Sequence, residues 1–139
     1  LTKISLSTLE ILYAIPISLC FILLYFRKRT WVKSKTTLIL LFALALISTV
    51  GYLTLNPDLP GQLFWGLTTP FIFQLSNKTA SQISWKIHGR ELYLWLRGSE
   101  DIDNTKLSGG SHVKGSDRIL SLTLLILVIL LPLIPTLLK

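Results

Sequence analysis

The residues able to do chemistry are few, and they are scattered. His88 and His112 lie 24 positions apart, and the single cysteine, Cys20, sits inside an apolar run far from both. A zinc site needs His or Cys in closely spaced sets, so no metal-ligand pattern is present. Glu100, Asp101 and Asp103 form an acidic patch without the regular ligand spacing of a calcium loop. Ser111 next to His112 is no catalytic pair, because adjacency does not orient a nucleophile toward its base. The run Ser108-Gly109-Gly110-Ser111-His112-Val113-Lys114-Gly115-Ser116 has the glycine gap of a phosphate loop, but Ser116-Asp117 stands where Lys followed by Ser or Thr is required. Glu10 is the lone acid near the first two apolar runs. It completes a Ser7-x-x-Glu10 capping box at a helix start, which explains it better than a proton-coupled transport site does. The sequence assigns no catalytic residue and no metal site, and it leaves any pigment, quinone or lipid cofactor unknown.

What surrounds these residues is more informative. Half of the 139 residues are hydrophobic and only 15% are charged, against about 25% in an ordinary soluble domain. The mean hydropathy is +0.59. The charges are clustered, leaving long segments without any, and this is the pattern of an integral membrane protein. The net charge of +7 does not point to nucleic acid, because the cations flank apolar runs and no nucleic-acid motif accompanies them.

The densest cluster is Arg27, Lys28, Arg29, Lys33 and Lys35, with no acid among them. A short basic loop between two spans is expected to stay on the cytoplasmic side and to anchor on anionic lipid. The preceding run, to Phe26, is about twenty residues and can cross the roughly 30 Å of hydrocarbon. It ends in Arg-Lys-Arg without a small-residue cleavage site, so an uncleaved span is expected rather than a signal peptide. The second span is expected over residues 36–55. Its Ala45, Ser48 and Gly51 recur every three positions and are candidates for a helix-packing face. Residues 1–55 thus read as a two-span hairpin.

Residues 56–76 join a turn cluster, Asn56-Pro57-Asp58-Leu59-Pro60-Gly61, to an uncharged stretch interrupted by Pro70. This stretch is short for a span and reads as re-entrant or tilted, with Phe64 and Trp65 suited to the headgroup level. Charge favours a crossing. Between Lys78 and Arg118 lie seven cations, and a crossing puts them on the same side as the basic loop. That placement also discounts the glycosylation sequon Asn77-Lys78-Thr79. Residues 118–139 read as a C-terminal anchor.

Residues 77–117 form a polar loop. Ile83, Trp85 and Ile87, then Leu92, Leu94 and Leu96, alternate with other residues on either side of Gly89-Arg90, which predicts a short β-hairpin. Trp85, Arg90, Tyr93, Trp95 and Arg97 are its candidate partner-binding residues, since Trp, Tyr and Arg dominate binding interfaces. The Gly- and Ser-rich residues 98–117 read as a flexible loop.

The fold expected is therefore an all-α integral membrane protein of three to four transmembrane helices with a polar loop carrying a short β-hairpin. The expected function is that of a non-catalytic accessory or scaffold subunit of a larger membrane complex. A pore-forming or bacteriocin-immunity type and an oligomeric small transporter are the alternatives. The expected partners are membrane lipids and other membrane subunits or further copies of the chain, not nucleic acid.

Overall fold

The computed structural model describes residues 6–54 and 61–138. The described residues form α1 (Leu6–Tyr25), the single turn α2 (Thr30–Lys33), α3 (Lys35–Thr54), α4 (Gly61–His88) and α5 (Gly115–Leu137). The turn cluster over 56–60 and the Ser7 side chain of the capping box lie outside what the structure describes.

The bundle is built around α4, which packs against α1, α3 and α5, while α1 also meets α5. The contacts give the directions. Gly66 on α4 lies against Pro16 on α1, Ser48 on α3 bonds the Phe64 carbonyl, and Trp65 bonds the Leu131 carbonyl on α5. Alpha-1 and α4 therefore run parallel, with α3 and α5 antiparallel to them. The ends of α1 and α4 and the starts of α3 and α5 gather at one end of the bundle. Twelve of the fourteen Lys and Arg, residues 27 to 118, belong to that end.

The stretch around Pro70 is not a short segment; α4 runs unbroken for 28 residues. Its buried positions Gly66, Pro70, Phe73, Asn77, Ala80 and Ser84 alternate every four and three residues. That is the seam of a helix packed against neighbours along its length. A proline inside a helix removes one N–H and strands the carbonyl four residues earlier. Here Thr69 Oγ1 donates to the Gly66 carbonyl at 2.8 Å, the one that Pro70 leaves free. The same device recurs in α5. Pro135 frees the Leu131 carbonyl, and the Trp65 indole N–H donates to it at 2.6 Å. Trp65 is thus tied into the α4–α5 contact.

The predicted β-hairpin is absent: there is no strand among the described residues, and Ile83, Trp85 and Ile87 lie in the last turns of α4. The seam through Ala80 and Ser84 prolongs the helix past the point where the side-chain alternation began. Downstream, the alternation holds for burial but not for pairing. Leu92 and Leu94 are buried in the core and Leu96 packs against it. The segment 91–96 is extended yet unpaired, because side chains take up its backbone groups in place of a second strand. Tyr93 N–H is bonded by Asp117, Leu94 N–H by Asp101 and Trp95 N–H by Ser121 Oγ.

Residues 98–114 are folded into turns, not an open linker. The Asp103 N–H bonds the Gly109 carbonyl at 2.9 Å, and His112 Nε2 lies 2.8 Å from the Asp101 carbonyl. Gly109 and Gly110 have φ of 80° and 100°. Those values suit glycine, and a Cβ on Gly109 would come within 3.0 Å of the Trp95 ring.

Two helices, α3 and α5, are long and apolar enough to cross a membrane; the apolar part of α1, Glu10–Tyr25, is shorter. Large apolar side chains cover the outside of α3, among them Ile39, Leu40, Phe42, Ile47, Val50 and Leu53. The buried positions of α4 are largely polar or small: Thr69, Gln74, Asn77, Ala80 and Ser84.

Candidate functional site

The polar residues converge at the basic end, where residues 89–114 fold over the ends of the helices. Three contacts at this end stand out. The first is Asp117, fully buried at the start of α5. Its carboxylate accepts from Arg90 Nη2 at 2.8 Å and Nη1 at 3.2 Å, from Lys114 N–H at 2.8 Å and from Tyr93 N–H. The bond to Asp117 raises the Arg90 guanidinium above the ordinary arginine range. The second is Lys28, which pairs with Asp101 at 2.6 Å and lies over the Tyr93 ring. The third is His88 Nε2, 2.5 Å from Ser116 Oγ, which joins the end of α4 to the start of α5. Among the described residues no acid bonds the other ring nitrogen of His88, so nothing orients this pair as a nucleophile and its base.

Arg27 is the most unusual of the cations. It follows α1, is only 6% exposed, and has no carboxylate within ion-pair distance among the described residues. Its Nε donates to Asn77 Oδ1 at 3.1 Å, Nη1 to the Leu92 carbonyl at 2.7 Å and Nη2 to Ser81 Oγ at 2.6 Å. Burial pushes its pKa below the ordinary arginine value, and the charges of Asp101, Glu91 and Asp117 partly restore it. Expected as one of five surface anchors, Arg27 is instead an internal strut joining α1, α4 and the extended segment. Lys28, Arg29, Lys33 and Lys35 are exposed, and Lys33 pairs with Glu91 at 2.5 Å.

The five candidate partner-binding residues are divided. Trp85 on α4 is 55% exposed, and Arg97 is exposed as well. Arg90, Tyr93 and Trp95 are half-buried and engaged within the cap. Arg90 lies over the Tyr93 ring, His112 meets that ring edge-on, and the Trp95 indole donates to the Leu107 carbonyl. Of the small residues on α3, Ala45 and Ser48 are buried against α4 and Gly51 is half-buried.

Beside Arg27 a recess of about 260 Å³ opens between α2, α4 and the extended segment. Lys33, Gln74, Asn77, Lys78, Ser81 and Glu91 contribute to its wall. Sequence reasoning missed it, because its cations come from positions 27, 33 and 78, the last separated from the others by the whole of α3. Among the described residues no group of three His, Cys, Asp or Glu could hold a metal ion. No protein-family model, curated protein or solved structure matches the chain.

Proposed function

We propose that the chain is a small non-catalytic membrane protein that crosses the bilayer four times, its basic end cytoplasmic, and packs as an accessory or scaffold subunit beside other membrane proteins. The observation that carries this reading is the inverted distribution of side chains. Apolar residues cover the outside of α3, while Gln74, Asn77, Ser84 and Arg27 lie inside. Water disfavours such an arrangement, whereas lipid tails favour it and strengthen polar contacts between helices. Twelve cations collected at one end agree with the preference of Lys and Arg for the cytoplasmic side.

The subunit role rests on the last turns of α4. There Ile83, Trp85 and Ile87 are 40%, 55% and 58% exposed beside Lys86, an aromatic and apolar surface of the kind partners cover. Purification from the native membrane in mild detergent tests the role. A stoichiometric larger particle is expected, and Trp85→Ala with Ile87→Ala should release the partner while the chain stays in the membrane. A small homo-oligomer that permeabilises liposomes would replace this reading with a pore.

A further inference from the structure

The recess beside Arg27 is rich in donors and short of acceptors. Arg27 has five N–H groups and directs three bonds to neutral oxygens. Asn77 uses its oxygen on Arg27, and its amide NH₂ donates to nothing among the described residues. Ser81 Oγ accepts from Arg27, which leaves its own hydrogen free to donate. Lys78 has no carboxylate within ion-pair distance among the described residues, and the one acid in the wall, Glu91, is engaged with Lys33. Asp101, Glu91 and Asp117 offset the Arg27 charge only from beyond ion-pair distance, so a buried guanidinium bonded to neutral groups, with Lys33 and Lys78 beside it, is open to an anion in direct contact. One group in the wall asks for a donor. Gln74 is 2% exposed and its Nε2 donates to the Val32 carbonyl at 2.9 Å, so its orientation is fixed and Oε1 is left without a partner.

We propose that this recess binds a glycerophosphate group, its phosphate facing Arg27, Lys33 and Lys78 and a hydroxyl donating toward Gln74. A zwitterionic headgroup fits less well, because its ammonium would meet three cations and an already paired carboxylate. The volume is several times the ~30 Å³ of a water molecule, room for a headgroup but not for a large ligand. The recess lies level with the end of α1 and the start of α3, where headgroups lie if the bundle spans the bilayer. The choice of a lipid as the source of the group rests on that membrane reading.

The test uses the full chain in mild detergent, stripped of lipid and weighed intact by native mass spectrometry. Phosphatidylglycerol, phosphatidylcholine of matched chains, and glycerol 3-phosphate are each added back. Retention of phosphatidylglycerol over phosphatidylcholine is expected, falling about tenfold in Lys78→Gln, the loss of one charge-assisted contact. Lys86→Gln, on the exposed turns of α4, should retain it like the wild type. Binding of glycerol 3-phosphate with the same Lys78 dependence, but no lipid preference, would keep the site and make its ligand a soluble phosphate ester. Equal retention by Lys78→Gln and wild type in both arms, or equal retention of the two lipids without glycerol 3-phosphate binding, overturns the site. Alkaline carbonate washing of native membranes separates the premises: a chain that washes off ends the membrane reading, and the glycerol 3-phosphate arm still decides the site.

Discussion

At the scale of single residues, the polar groups inside the bundle do the work that backbone ladders do elsewhere. Asp117 is the sharpest case, since one carboxylate holds Arg90 and the N–H groups of Lys114 and Tyr93. Asp117→Ala leaves those donors unpartnered. The Arg90 side chain is 26% exposed, so water recovers part of the loss. A destabilisation of about 2 kcal/mol is expected from the charged hydrogen bonds removed, seen as a lower midpoint in denaturant titration in detergent. An unchanged midpoint would show that the cap is not anchored there. Arg27 gives a contrasting prediction. Arg27→Lys keeps the charge but not the planar fork that reaches Asn77, Leu92 and Ser81 together. About 1–3 kcal/mol should be lost, so a Lys variant as stable as the wild type would reduce the strut to a mere charge. The sequence shows that the basic cluster exists. It does not show that Arg27 turns inward while Lys28 turns out, because that depends on Asn77 and Ser81 fifty positions later.

At the scale of elements, the apolar runs were legible and their ends less so. Residues 6–25, 35–54 and 115–137 are helical close to where hydropathy placed them. The stretch after Gly61 was harder, because Pro70 argues for a break. Two local facts keep it whole: Thr69 satisfies the carbonyl that Pro70 strands, and the seam from Gly66 to Ser84 gives the helix packing along its length. The alternation of Ile83, Trp85 and Ile87 misled because period two and a 3.5-residue seam overlap over so few residues. Two substitutions test the packing. Gly66 places α4 on Pro16, and a Cβ there would lie 3.3 Å from Pro16 Cγ. Gly66→Leu should force the helices apart and cost about 1–3 kcal/mol by overpacking. Trp65→Phe removes the donor to the Leu131 carbonyl and should cost about 1 kcal/mol. Both are measured by the same denaturant titration, and neutrality in either would mean that α4 does not pack on α1 or α5 as described.

At the scale of the whole molecule, the gathering of both polar connections at one end constrains how the helices can cross a membrane. The 27–35 loop and the cap are joined by Lys28–Asp101, Lys33–Glu91 and the Arg27 bond to Leu92. Two segments in such contact must lie on one side of any membrane that the helices cross. If α3 crosses, α4 must cross as well, because α3 and α4 together must return the chain to the side it left. The charge count in the sequence favours that crossing only as a balance of cations, since the contacts that bear on it link residues more than fifty positions apart. Its test is sided labelling. With Cys20 replaced by Ser, single cysteines at Thr30 and Thr105, both exposed, are probed in intact cells and in inverted vesicles with an impermeant maleimide. Both positions should label in inverted vesicles and neither in intact cells. Labelling from opposite faces would mean that α4 does not cross, and then the ion pairs joining loop to cap could not form in the membrane. Labelling of both in intact cells would keep the fold and reverse its orientation, leaving the basic end on the outer surface against the preference of its twelve cations.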